Sequence, residues 1–286
     1  VLFRSPEMTA FLLGQFGLTQ EDLYQVNGIV NLVRLMQIPD LVDRPDLKFS
    51  PYTPSKPKEL NKDTDIFKAI RKQDILLHHP YQSFNPVIDF ITQASEDPNV
   101  LAIKQTFYRT SADSKLMTAL IEAARSGKEV TVVVELFARF DEEANINWAA
   151  KLEDAGAHVV YGVVGHKTHA KMAMVVRRED GKLRRYVHLS TGNYHQRTAK
   201  LYTDFGLLTC NESISKDVND VFAQLTGLGK SNKLNHLWQS PFTLHSNLIK
   251  AINKEAEIAK SGKKAHIIAK MNALLDADVI RALYEA

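Results

Sequence analysis

The 286-residue chain has a single cysteine, Cys210, so no internal disulfide can form and a disulfide-held scaffold is excluded. One thiol fits a reducing compartment. No apolar run approaches the 18 or more residues that a bilayer span needs, and stretches such as Val130 to Val134 fall far short. A large charge excess is also missing: 36 Lys+Arg against 33 Asp+Glu gives +3. That is too mild to mark a nucleic-acid binder, so any anion site must be a local cluster. The opening Val1-Leu2-Phe3-Arg4-Ser5-Pro6 has neither an initiator Met nor a secretory pattern, and the chain is expected to be a fragment. Biased composition is absent too. Hydrophobic residues at 44%, charged residues at 24%, 13 Gly and 10 Pro exclude disorder and collagen, and the length suggests about two domains.

What is present is ordered along the chain. Pro39, Pro45, Pro51, Pro54 and Pro57 crowd a stretch without apolar periodicity, which predicts a boundary or strap. Ahead of it, Thr19 as a cap with Leu23, Val26, Val30 and Val33 behind it predicts a helix. Beyond the strap the pattern becomes α/β. Asn85-Pro86 predicts a helix start, Val100 to Phe107 a buried strand ending in Tyr108-Arg109, and Ser114 a capped helix closed by Gly127. Val130 to Leu136 predicts a second strand, running into Phe137-Ala138-Arg139, and Asp141-Glu142-Glu143 a helix ending at Gly156. This alternation implies parallel pairing. Thr168 to Val176 alternates with period two, and Asp180-Gly181 predicts a hairpin to Tyr186–Ser190. Such a hairpin brings His169 near Asn193. A weak repeat links Leu101–Ala123 to Ala265–Ala286, as a second, similar domain would show.

Several side chains could carry chemistry. Arg109 and Arg139 each follow a predicted parallel strand, at the edge where open α/β sheets bind ligands, and two guanidinium groups there suit a polyanion. His169 and Lys171, about 6.6 Å apart on one strand face, could touch one phosphoryl group. Thr191-Gly192-Asn193 should lie beside them. His188 is expected in the core, and His78-His79 in a domain-joining turn. His166 and His169 lack the further ligands of a zinc site. Gly227-Leu228-Gly229-Lys230-Ser231 mimics the end of a P-loop but has Gln224 where the first Gly belongs, and is expected to be a helix cap. Trp148 and Trp238 are expected in helical core positions. Arg177-Arg178, Arg184-Arg185 and Lys263-Lys264 are expected to be solvated, with the lining of a polyanion path as the alternative.

At these residues the sequence resembles polyphosphate kinases of the long, phospholipase D-like class. The likeness runs through Asp74–Tyr81, Val100–Lys104, Thr131–Asn145, His169-Ala170-Lys171, Thr191-Gly192-Asn193 and Leu201–Asp204. It implies an α/β fold: a phospholipase D-like mixed sheet flanked by helices, preceded by a helical segment and followed by the truncated start of a second similar domain. The implied divisions are 1–56, the end of a helical head domain and strap; 57–236, the catalytic domain; and 237–286, the start of the second. The implied reaction is reversible transfer of the ATP γ-phosphate to polyphosphate through a phosphohistidine at His169, with Lys171 and Asn193 beside it. Arg109 and Arg139 correspond to the family's Mg²⁺ and phosphate arginines, and Tyr202 to its nucleotide-contacting tyrosine. Mg²⁺, ATP/ADP and polyphosphate are the implied cofactor and substrates. The protein is expected to be a homo-oligomer, cytoplasmic or peripheral to the inner membrane, without a nucleic-acid partner or integral membrane segment. Phospholipase D has an Asp five residues after its Lys, where this chain has Val176, a departure that favours the kinase. A phospholipase D-like phosphodiesterase and a non-catalytic polyanion-binding domain remain the alternatives. A second His and Arg are expected beyond residue 286, so the chain alone should not synthesise polyphosphate.

Overall fold

The computed structural model describes residues 5–60, 65–108, 114–135, 142–163, 165–228 and 233–286, leaving out the side chains of 142–144. The chain forms two compact units, Val1–Thr53 and Pro54–Ala286, which part inside the proline-rich stretch. No described helix is long and apolar enough to cross a membrane.

The first unit contains helix α1 (Pro6–Phe16), capped by Ser5 and closed by Gly17 in the left-handed region, and the short α2 (Ile38–Leu41). The helix expected after Thr19 does not form. Thr19 and Asp22 close a capping box, but only a 3₁₀ turn over Gln20–Asp22 follows. None of Leu23, Val26, Val30 and Val33 is buried, so among the described residues the apolar stripe meets no packing surface, and helix propensity alone does not hold it.

The second unit is a mixed α/β domain. Its elements are α3 (Ile66–Lys72), β1 (Ile75–His79), α4 (Asn85–Glu96), β2 (Val100–Phe107), α5 (Lys115–Arg125), β3 (Glu129–Val134) and α6 (Glu142–Asp154). Then come β4 (His158–Tyr161), β5 (Lys171–Glu179), β6 (Lys182–Ser190), β7 (Asp204–Thr209), α7 (Glu212–Leu225), α8 (Leu244–Lys260) and α9 (Ala277–Glu285). The seven strands are ordered β1-β7-β6-β5-β2-β3-β4. As the alternation implied, β2–β3 is parallel; β3 is also parallel to β4, a strand the sequence reading did not identify, and the other pairs are antiparallel.

Helices cover both faces. Val132, Ile103, Phe107, Ala173 and Val175 pack with residues of α3, α4, α5 and α6, while Val133, Met172, Met174 and Val187 pack with Val218, Val221 and Phe222 of α7. Burial on both sides explains why β3 reads as a nearly unbroken apolar run. Ser114 caps α5 and Asn211 caps α7, and Asp180-Gly181, both at positive φ, make the two-residue turn joining β5 to β6. At that end of the sheet Glu179, its side chain 6% exposed, accepts from Tyr186 Oη (2.6 Å), Arg177 (2.7 Å) and Arg184 (3.0 Å). Arg177 and Arg184 are therefore structural partners rather than solvated charges.

Other expectations shift. His78-His79 ends the edge strand β1 instead of lying in a turn, and helix α4 begins at Asn85 itself, with Phe84 as its cap. Residues 265–270 form no strand, because an extended segment becomes a strand only by pairing and no described strand adjoins it; α9 of the expected repeat does form. Trp148 lies in α6 against the core, whereas Trp238 is 46% exposed in the non-helical segment after residue 233. That segment is held by Asp217 of α7, whose buried carboxylate accepts the N–H groups of Asn235 (2.8 Å), His236 (2.6 Å) and Leu237 (3.1 Å). Burial pulls Asp217 up, but these backbone donors outweigh it and hold its pKa below the ordinary carboxylate value.

Asp217→Ala should therefore lower unfolding stability by about 2–4 kcal/mol, because it strands three backbone donors. The depressed pKa makes the contribution full above about pH 4 and removes it as the pH falls through the folded-state value. Urea unfolding of both proteins should show a gap at pH 7 that closes below pH 4.

Candidate active site

The strand directions gather seven strand ends at one edge. Strands β2, β3 and β4 run towards it and finish at Phe107, Val134 and Tyr161; β5 starts there at Lys171, opposite Ser190 at the end of β6. Asp204 at the start of β7 pairs with His79 at the end of β1.

His169 lies just before β5 rather than within it. The backbone of 168–170, ahead of the β5–β6 ladder that starts at Lys171, is held by side chains: Thr168 N–H donates to the Glu135 carboxylate (2.7 Å), and Thr106 Oγ1 donates to Ala170 O (2.7 Å) and accepts from Met172 N–H (3.1 Å). His169 is exposed and Lys171 is buried, yet the two converge. Lys171 Nζ donates to His169 O (2.6 Å), and the Tyr108 ring lies against both, 4.8 Å from the imidazole edge-on and 4.9 Å from the ammonium. The aromatic face attracts the cation and fixes its distance from the imidazole.

Asn193 follows β6 at the same edge, with a buried Oδ1 that has no hydrogen-bond partner among the described residues. Gly192 is required beside it: a Cβ there would stand 2.5 Å from Asp204 Oδ2, and Asp204 accepts from Thr191 Oγ1 (2.9 Å). Tyr202, 60% exposed, stands two residues before β7 at this edge. Arg109 and Arg139 lie outside the described residues.

Behind the edge His188 is fully buried, its Nδ1 2.9 Å from Tyr194 Oη, as a core histidine was expected to be. Its Nε2 packs on Gly206, where a Cβ would come within 2.7 Å. Burial, with a smaller contribution from His79, pushes the His188 pKa down to about 3. His79 Nδ1 donates to Gln82 O (2.9 Å), and burial lowers its pKa too, against the opposing pull of that bond and of Asp204.

The remaining motifs do not join the site. His166 only closes a backbone bridge with Val163. Gly227, at positive φ, ends α7 as a helix cap, and residues 229–232 lie outside the described set. Among the described residues, His245, Asp276 and Asp278 are the one cluster with metal-ligand spacing, and all three are exposed. Sequence reasoning assigned no part to Tyr108, Glu135 or Asn145. A charged residue closing the apolar run 130–134 was the available signal for Glu135; nothing in the pattern singled out Asn145.

Two family models match the chain, Polyphosphate kinase C-terminal domain 1 over residues 65–231 and Polyphosphate kinase C-terminal domain 2 over 237–286. Polyphosphate kinases of Burkholderia multivorans and Neisseria meningitidis serogroup C are 64% and 62% identical over 96% of the chain. The chain spans 41% and 40% of their lengths. The crystal structure of polyphosphate kinase from Porphyromonas gingivalis aligns over 98% of the chain and 43% of its own, with a TM-score of 0.82 at 31% identity.

The burial of His188 has a measurable consequence. A pKa depressed from about 6.5 keeps it neutral, so its imidazole signals should not titrate between pH 5 and 8 by NMR. The linked stability is complete above about pH 6.5 and is lost as the pH falls towards the folded value, at about 1.4 kcal/mol per pH unit. His188→Asn should remove that increment from the slope of unfolding free energy between pH 6 and 5.

Proposed function

Because the chain belongs to the polyphosphate kinase family, we propose that it carries the phosphoryl-accepting half of a site that transfers the terminal phosphate of ATP to polyphosphate, with His169 as nucleophile. The observation that carries this reading is the convergence of His169 and Lys171 on the Tyr108 ring, at the edge that also holds Asn193 and Tyr202. An exposed imidazole on a buried lysine is reachable by a substrate and backed by a fixed positive charge. We assign 57–236 to this catalytic domain, 1–56 to the end of a head domain and 237–286 to the start of the second catalytic domain.

In the forward direction a neutral His169 nitrogen attacks the γ-phosphorus of ATP. A P–N bond forms as the β–γ bridging P–O bond breaks, its electron pair leaving on ADP. A terminal polyphosphate oxygen then attacks the phosphohistidine, and the broken P–N bond returns the lone pair to His169. Lys171 and Asn193 hold the transferring oxygens, Arg109 and Arg139 spread their charge, and Tyr202 contacts the nucleotide. Most of the catalysis is positioning and charge stabilisation. His, Lys and Arg are not hard-cation ligands, so these residues fit Mg²⁺ only as a counter-ion carried on the substrate phosphates. Mg²⁺ bound in this way neutralises phosphate charge. The whole protein is proposed to be a cytoplasmic homo-oligomer.

In the full-length protein, His169→Ala should abolish acid-labile, base-stable labelling from γ-labelled ATP while the circular dichroism spectrum stays unchanged. Arg109→Ala and Arg139→Ala should each slow transfer by about 10² to 10³ with little change in melting temperature, the usual loss for one preorganised charge-stabilising donor. Wild-type labelling of the His169 variant, or cleavage of lipid or nucleic-acid diesters in place of transfer, would refute the proposal.

A further inference from the structure

Glu135 is 2% exposed and stands immediately beyond the end of β3. Its N–H donates to Phe107 O (2.9 Å), which carries the β2–β3 pairing one step towards the site. Its carbonyl accepts from Asn145 Nδ2 (3.1 Å), and the same amide group donates to Tyr108 O (3.2 Å). Its carboxylate crosses to the segment ahead of β5 and takes the Thr168 N–H at 2.7 Å. One residue thus ties β3, the end of β2, helix α6 and the backbone next to His169.

We propose that Glu135 is a positioning residue for phosphoryl transfer: with Asn145, it locks the 165–170 segment against the ends of β2 and β3 so that the His169 imidazole meets the Tyr108 ring and Lys171. The inference rests on His169 being the nucleophile. Among the described residues, three side-chain anchors act in succession on the segment. Glu135 holds the Thr168 N–H, Lys171 holds the His169 carbonyl and Thr106 holds the Ala170 carbonyl. The Glu135 anchor is the one made by a buried, charged acceptor, from the residue just past β3, and charge-assisted bonds of this kind are the stronger ones. Releasing it frees the residue that precedes the nucleophile, and nucleophilic attack is sensitive to displacements of about 1 Å.

The test compares Glu135→Ala and Glu135→Gln with the unsubstituted full-length enzyme. Amide hydrogen exchange of peptides covering 163–171 should quicken in Glu135→Ala while peptides from β5 and β6 stay protected. The rate of His169 phosphorylation should fall about 10- to 100-fold, with the KM for ATP changed less than about 3-fold. Glu135→Gln keeps an acceptor oxygen of the same reach and should recover most of both properties. Unchanged exchange in 163–171, or phosphorylation of Glu135→Ala at the unsubstituted rate, overturns the assignment. Loss of protection throughout the sheet in both variants would also overturn it, since Glu135 would then support the fold as a whole. If the unsubstituted enzyme carries no phosphate on His169, the proposed function fails instead, and the exchange comparison still decides whether Glu135 holds the segment.

Discussion

The antiparallel pairing of β2 with β5, in register from Ile103 opposite Val175 to Gln105 opposite Ala173, joins a parallel half of the sheet to an antiparallel half. A parallel connection at this seam would send the start of β5 to the other end of the sheet. As built, it sets Lys171 beside the end of β2, where Tyr108 follows. The remaining geometry descends from that choice: the β5–β6 hairpin returns Ser190 opposite Lys171, β7 begins at the same edge, and β1 ends there. Ligand sites in open α/β sheets favour the carboxyl ends of strands. Here the seam adds the amino ends of β5 and β7 to that edge, so a His-x-Lys element and a nearby Asn come from oppositely directed strands.

The two ends of the sheet treat polar groups differently. At the Asp180-Gly181 end, Glu179, Arg177, Arg184, Tyr186 and Asp97 satisfy one another in a closed network. Near the opposite edge, buried polar atoms of His79, Gln105, Thr168, His188 and Asn193 have no protein partner among the described residues. Each such atom costs about 1–3 kcal/mol unless water or a ligand meets it. Among the described residues, polar groups are thus paired at the Asp180-Gly181 end, and most of the unpaired ones gather towards the edge that holds His169 and Lys171.

Much of this was legible in residue order. Two-sided burial wrote itself into the apolar runs of β2 and β3, Asp180-Gly181 announced its turn, and the long motifs around Glu135–Asn145 and His169–Lys171 carried the family resemblance that the family models match. Two of the errors share one cause, the absence of a partner among the described residues. Val26, Val30 and Val33 have helical spacing but no face to cover, and 265–270 has strand character but no strand beside it. Period-two alternation placed His169 inside β5, because a hydropathy pattern cannot register that Glu135 and Thr106 take over the bonds a ladder would have made. The contact of Tyr108 with both His169 and Lys171 was likewise invisible, since it joins positions 61 and 63 residues apart.

The packing of His188 on Gly206 ties β6 to β7 through one close contact. With 2.7 Å between a hypothetical Cβ and the imidazole, no side chain fits at 206 while His188 keeps its place. The two positions are therefore sterically coupled across the β6–β7 pair. A side chain at 206 needs a smaller residue at 188, and a histidine at 188 needs glycine at 206, a constraint set by packing within the sheet and not by the residues at its His169 edge.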